Sequence, residues 1–141
     1  MKKYRKFTVG EEISHSITHG IGALLGIAAL IVLIVLSSKQ KNAWKIVSFS
    51  IYGASLFLLY LSSTLFHSLS FTKSKEILKK LDLSMIYILI AGTYTPILLV
   101  PMRGTLGWIL FGIIWTLAII GIVFKWISVG KNKVIPTLLY V

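Results

Sequence analysis

The chain has 141 residues, of which 56% are hydrophobic, and its mean hydropathy of +0.86 excludes an ordinary soluble domain. Fifteen lysines and arginines against four acidic residues give a formal charge of +11. These basic residues flank long apolar runs, so we expect a membrane protein that binds lipids and no nucleic acid. Cysteine is absent, which excludes disulfides and thiolate metal sites, so a metal would need histidine or carboxylate ligands.

Four stretches without Asp, Glu, Lys or Arg predict four transmembrane helices, because each holds the roughly 20 residues that a helix needs to cross a membrane. Helices are expected because backbone N–H and C=O groups in lipid must form their hydrogen bonds within the segment. The apolar residues are also continuous and do not alternate with polar ones as they would in barrel strands. The predicted spans are Ile13 to Ser38, Ile46 to Thr72, Leu83 to Met102 and Gly104 to Phe124.

The predicted fold is all-α, a multi-pass transmembrane bundle that forms one domain over residues 1–141, with residues 1–12 as its basic N-terminus. A fifth apolar run, from Val134 to Val141, reaches only about 12 Å as a helix, against a membrane core of about 30 Å. We expect this run to be the start of a fifth helix in a longer protein.

The basic residues also predict the orientation of the bundle. Most of them precede the first span, follow the fourth, or lie in the predicted loop from Lys73 to Lys80 after the second. The positive-inside rule then places the N-terminus in the cytoplasm, in a protein of the plasma membrane.

Ser63, His67 and Asp82 are predicted to lie near the cytoplasmic face. Ser63 and His67 are four residues apart, so they share a face of the second span, and Asp82 is predicted in the first turn of the third. A neutral imidazole is a good zinc ligand, and a nearby carboxylate can orient a metal-bound water or take its proton. Alternatively, His67 lies at the headgroup level and Asp82 complements a helix dipole.

The first span offers a rival site on one stripe of Glu12, His15, His19, Gly22 and Gly26. HSITH places two histidines four residues apart, a spacing that metal ligands use. The alternative is a polar segment in the membrane interface, followed by a small-residue packing face.

The third span contains AGTYTP, where Pro96 removes a backbone hydrogen bond and predicts a kink. The hydroxyls of Thr93 or Thr95 are expected to bond the carbonyls that are freed.

Three segments in this order, EEISHSITHGIG, SSTLFHS and LDLSMIYILIAGTYTP, resemble the hemolysin III family of bacterial membrane proteins, which is related to the progestin and adiponectin receptors. The resemblance covers the chain from Glu11 onward. It implies seven transmembrane helices, an internal N-terminus and a zinc ion near the cytoplasmic leaflet.

The resemblance also implies roles for individual residues. His67 matches a zinc-ligand histidine, Ser63 is the serine of its SxxxH pattern, and Asp82 matches an aspartate that holds a zinc-bound water. Two further zinc-ligand histidines belong to a seventh helix that this sequence does not contain. His19 matches a THG motif whose role stays open.

Three functions remain open for the full-length protein. The first is a zinc-dependent intramembrane hydrolase that acts on lipid amides or maintains the lipid state of the membrane. In this enzyme His67 would bind the metal, Asp82 would act as the base, and Ser63 would bind the water or the substrate carbonyl. The second is a cytolytic pore or channel, which the family name implies. The third is a lipid-binding receptor.

Overall fold

The computed structural model describes residues 7–127, which form four helices joined by short connections. They are α1 (Val9–Lys39), α2 (Ala43–Ser68), α3 (Lys75–Leu99) and α4 (Thr105–Ile127). Each is long and apolar enough to cross a membrane, and residues 7–127 contain no strand. The predicted all-α transmembrane fold is therefore confirmed for these helices, whereas the predicted start of a fifth helix lies outside the described residues.

The burial pattern is that of a membrane protein. Large apolar side chains such as Leu24, Ile31 and Ile119 are exposed on the outer faces of the helices, where lipid would contact them. The buried positions between helices hold small or hydroxyl residues such as Ser48 and Ala91. Small residues let membrane helices approach closely, which compensates for the weak hydrophobic drive between helices in lipid.

Each helix packs antiparallel against its neighbour in the chain, so that the close backbone contacts run α1 to α2, α2 to α3 and α3 to α4. Gly22 and Gly26 of α1 face α2, where a Cβ at Gly22 would lie 2.7 Å from the ring of Tyr60. A Cβ at Gly26 would lie 3.3 Å from the backbone of Phe57. The predicted small-residue packing face of the first helix is thus confirmed.

Tyr87 anchors the contact between α3 and α4. Its side chain is almost fully buried and lies directly over Gly121, where any side chain would collide with the ring. Nearby, the indole N–H of Trp126 donates to the hydroxyl of Ser84 over 3.0 Å. These contacts place the C-terminal end of α4 beside the N-terminal half of α3.

Aromatic and basic side chains meet at both ends of the bundle. Arg103 lies over the ring of Trp44, 5.2 Å from its centre, and Trp44 contacts Trp108 edge to face. At the opposite end, the ammonium of Lys80 lies 5.5 Å from the ring centre of Trp126. Such residues are typical of the two membrane–water interfaces.

The start of the third helix differs from the prediction. Lys75, Lys79 and Lys80 were predicted in a loop, but they lie in the first turns of α3, which begins directly after Ser74. The prediction of Asp82 in the first turn is therefore wrong, since Asp82 lies about two turns inside the helix. Charged residues mark the edge of the lipid but need not end a helix, because lysine stems can extend along it towards water.

Pro96 lies inside α3, which continues to Leu99. The predicted rescue of the freed carbonyls is wrong in detail. The carbonyl freed by Pro96 is that of Gly92, but Thr93 bonds the carbonyl of Leu89 and Thr95 bonds that of Ala91, each over 2.7 Å. Both hydroxyls bond back four residues along their own helix, as threonines in membrane helices commonly do.

Candidate functional site

Ser63 links three helices through one hydroxyl group. Its oxygen lies 2.5 Å from Nδ1 of His19 on α1, and the side chain of Asp82 on α3 lies beside it. Ser63 itself is buried on α2. His19 and Asp82 lie in the N-terminal parts of α1 and α3, and Ser63 lies near the C-terminal end of α2. Because neighbouring helices are antiparallel, all three residues lie at the same end of the bundle.

His67 forms a second link, one turn further along α2. Its Nδ1 lies 2.6 Å from Oε2 of Glu12, and the Nζ of Lys75 lies 3.1 Å from Oε1 of the same carboxylate. Glu12 is only 6% exposed and His67 only 8%. The imidazole is therefore turned into the bundle, and the alternative in which His67 lies among the lipid headgroups does not fit its burial.

Three imidazole rings gather around this link. The ring centre of His67 lies 4.8 Å from that of His15 and 6.0 Å from that of His19. Phe66 and Phe7 contact the same imidazole, with ring centres 4.7 and 5.6 Å away. The rings thus form one cluster between α1, the end of α2 and the segment before α1.

The structure brings together residues that the sequence suggested as two separate sites. Asp82 lies beside Ser63 and in the neighbourhood of His67 and His19. Its position inside α3 also removes the alternative of a charge at a helix N-terminus. Glu12 and His19 of the rival stripe join the same cluster, because their stripe faces α2.

Lys75 was missed by sequence reasoning, which used it only as a topological marker. No local pattern identifies it, since its contact with Glu12 spans 63 residues of the chain. Glu12 and His19 did carry a signal, because they fall with His15, Gly22 and Gly26 on one stripe whose successive members are three or four residues apart.

One residue of the cluster, His67, has the surroundings of a zinc ligand, but the cluster does not contain a complete set of zinc ligands. A zinc ion in an enzyme normally has three protein ligands. Within residues 7–127, no group of three histidine, aspartate or glutamate side chains is arranged to hold a metal ion. His67 alone has the environment of a ligand, because its Nδ1 bonds a carboxylate and leaves Nε2 available.

The predicted resemblance rested on three segments, EEISHSITHGIG, SSTLFHS and LDLSMIYILIAGTYTP. They supply the polar stripe of α1, the serine and histidine one turn apart on α2, and the aspartate inside α3. The profile of the family described as Haemolysin-III related matches residues 7–141. The chain belongs to this family. The predicted membership is thus confirmed, and with it a multi-pass membrane protein.

Two bacterial relatives of this haemolysin-III related protein are similar at more than half of the aligned positions. The Hemolysin-3 homolog of Bacillus subtilis (strain 168) is 54% identical over 95% of this chain and 63% of its own length. Hemolysin-3 of Bacillus cereus is 55% identical over 94% of this chain and 61% of its own length. The chain therefore spans about three-fifths of the length of these relatives.

A more distant relative comes from human. The monocyte to macrophage differentiation factor is 29% identical over 96% of this chain and 58% of its own length. It is a member of the progestin and adiponectin receptor family, which agrees with the predicted wider relationship. No solved structure matches the chain.

Proposed function

We propose that the full-length protein is a zinc-dependent intramembrane hydrolase that cleaves lipid amides. The observation that carries the proposal is the hydrogen bond from His67 Nδ1 to the buried carboxylate of Glu12. Histidines that bind metals commonly donate their other ring N–H to a carboxylate, which orients the ring and raises its basicity. His67 would be one ligand through Nε2, and further ligands would come from outside residues 7–127.

The remaining groups of the cluster suit hydrolysis. Zinc, when bound, would supply a Lewis acid that activates water and polarises a carbonyl. The carboxylate of Asp82 would take a proton from the attacking water as it adds to the carbonyl carbon. Ser63 would donate a hydrogen bond to the substrate carbonyl oxygen or to the water. When the carbon–nitrogen bond breaks, the proton on Asp82 would pass to the departing amine.

The surroundings of the cluster favour a lipid as the substrate. An open groove of about 270 Å³ borders Glu12 and His67. Its walls are largely apolar and include Ile13, Ile17 and Phe71. An acyl chain could lie along such walls while a polar amide group reaches the ionisable side chains, which is the division of roles found in most small-molecule sites.

We further propose that the protein lies in the plasma membrane with its N-terminus in the cytoplasm. The support is the excess of basic residues at the end of the bundle that carries the cluster. Zinc and substrate would then meet near the cytoplasmic leaflet.

The test is a hydrolysis assay on the purified full-length protein in vesicles that contain a ceramide-like lipid and an entrapped dye. Released fatty acid reports hydrolysis, and metal analysis of the same sample reports zinc. His67→Ala should lower zinc content and activity together, because it removes a ligand. Asp82→Asn should remove activity but largely spare zinc, whereas Glu76→Gln, an exposed carboxylate on the same helix, should change neither.

The same assay separates the other two functions. Dye release without fatty acid release would contradict the hydrolase and support a cytolytic pore, the activity that the name Hemolysin-3 states for the Bacillus cereus relative. Lipid binding without hydrolysis or dye release would support a receptor.

A further inference from the structure

Glu12 is a buried carboxylate that ties three helices together. Its Oε2 accepts from His67 on α2, and its Oε1 accepts from Lys75 at the start of α3. Both oxygens are therefore engaged, and the side chain is only 6% exposed. Burying a charge in a membrane protein costs free energy unless the charge is paired. Such residues commonly have a function, so we expect a role of Glu12 beyond the packing of α1 against α2.

The carboxylate restricts the protonation of the histidine. An ionised carboxylate can only accept hydrogen bonds, so a neutral His67 must carry its proton on Nδ1 to bond Glu12. The lone pair then lies on Nε2. Lys75 balances the charge of Glu12, which favours the ionised carboxylate over a neutral acid that could donate to the ring.

The neighbouring rings restrict the orientation of the same imidazole. Phe66, Phe7 and His15 contact it, with ring centres 4.7, 5.6 and 4.8 Å away. Turning the ring by half a rotation would replace Nδ1 with a carbon opposite Glu12 and leave a buried carboxylate oxygen without its partner, which costs about 1–3 kcal/mol or more for a charged group. Packing and hydrogen bonding thus select one orientation.

We propose that Glu12 is a positioning residue that fixes His67 in the Nδ1–H tautomer and presents Nε2 as a ligand, and that Lys75 holds Glu12 in place. The role of this tautomer in zinc binding rests on the proposed function. The tautomer itself depends only on Glu12 and its neighbours, so the zinc-ligand role of His67 and the positioning role of Glu12 can be tested separately.

The decisive experiment is ¹⁵N NMR of the full-length protein, labelled at histidine, free of metal and at a pH where imidazole is neutral. A His67→Asn sample identifies the signals of His67, because only those signals disappear from its spectrum. We expect His67 to show the Nδ1–H tautomer alone. Glu12→Ala should convert it to a mixture of both tautomers, and Glu11→Gln, the adjacent carboxylate that caps α1 at Thr8, should leave it unchanged.

A second variant covers the case in which Glu12→Ala does not fold. Glu12→Gln keeps the size of the side chain, but its amide can donate as well as accept, so a measurable fraction of the other tautomer should appear. An unchanged tautomer in either folded variant would overturn the proposal. Lys75→Met should also admit the second tautomer, whereas Lys73→Met, in the connection before α3, should not.

Zinc affinity then links this inference to the proposed function. Glu12→Ala should weaken zinc binding by roughly tenfold to a hundredfold, the usual effect of losing a carboxylate behind a ligand histidine. If His67→Ala leaves zinc content unchanged, the proposed function fails while the NMR result stands. If His67→Ala removes zinc but Glu12→Ala leaves the tautomer unchanged, the positioning role fails and the ligand role stands.

Discussion

Nδ1 of His19 and the hydroxyl oxygen of Ser63 lie 2.5 Å apart and join α1 to α2, although 44 positions separate them in the chain. The side chain of Asp82 on α3 lies beside the same hydroxyl. A serine hydroxyl has one proton to donate and two lone pairs, so Ser63 can accept from His19 and turn its proton either to Asp82 or to a bound substrate. The hydroxyl of Ser63 therefore lies between residues from two other helices.

This arrangement predicts that Ser63 and its neighbour Ser62 respond differently to the loss of their hydroxyls. Ser63→Ala should lower lipid amide hydrolysis by the full-length protein roughly tenfold to a hundredfold, because Asp82 and His19 lose their common partner. Ser62→Ala is the control, since its hydroxyl donates to the carbonyl of Leu59 in its own helix. Equal activities in the two variants would contradict a role for Ser63.

The contact between Tyr87 and Gly121 predicts the stability of the α3–α4 pair. Gly121→Ala places a methyl group on the buried ring, so we expect a destabilisation of about 1–3 kcal/mol and a lower midpoint of thermal unfolding in detergent. Gly112→Ala lies in the same helix and its methyl group would meet nothing within 4 Å. That variant should unfold at the same temperature or slightly higher, since alanine favours a helix.

The proposed orientation predicts the accessibility of the two ends of the bundle. The chain contains no cysteine, so a single cysteine introduced at Lys73 or at Lys41 can be labelled without interference. In intact cells, a membrane-impermeant thiol reagent should label the cysteine at position 41 and spare the one at position 73. Lys73 is preferable to Lys75 as a probe because Lys75 bonds Glu12. Labelling of both positions from outside would refute the topology.

The incomplete ligand set predicts weak zinc binding by the 141-residue chain alone. Metal analysis of the purified chain should find much less than one zinc per molecule, because one oriented histidine holds zinc poorly. His15→Ala and His19→Ala should not change this result. Tight, equimolar zinc that is lost in these variants would instead show that His15 and His19 complete a site with His67.

The sequence predicted the four spans and the common face of Ser63 and His67, because hydropathy and helical spacing are local properties. It treated Glu12 and His19 as a separate site, since nothing within α1 reveals that its polar stripe meets the far end of α2. The start of α3 was misplaced for a related reason. Charge marks the boundary of the lipid, but the hydrogen bonds of the helix begin at Lys75 and continue through that boundary.

The connection between α1 and α2 consists of only three residues, 40–42, in which Lys41 adopts a positive φ of 50°. Measured from the helix ends at this turn, Glu12 and His67 lie at similar distances along their two helices, about 40 Å and about 36 Å at 1.5 Å per residue. The contact between Glu12 and His67 thus depends on the lengths of the two arms, the helix segments from the turn to Glu12 and from the turn to His67. Deleting one residue from either arm would shift everything beyond it by about 1.5 Å and rotate it by about 100°. This hairpin should therefore tolerate many substitutions on its lipid-facing side but almost no insertion or deletion.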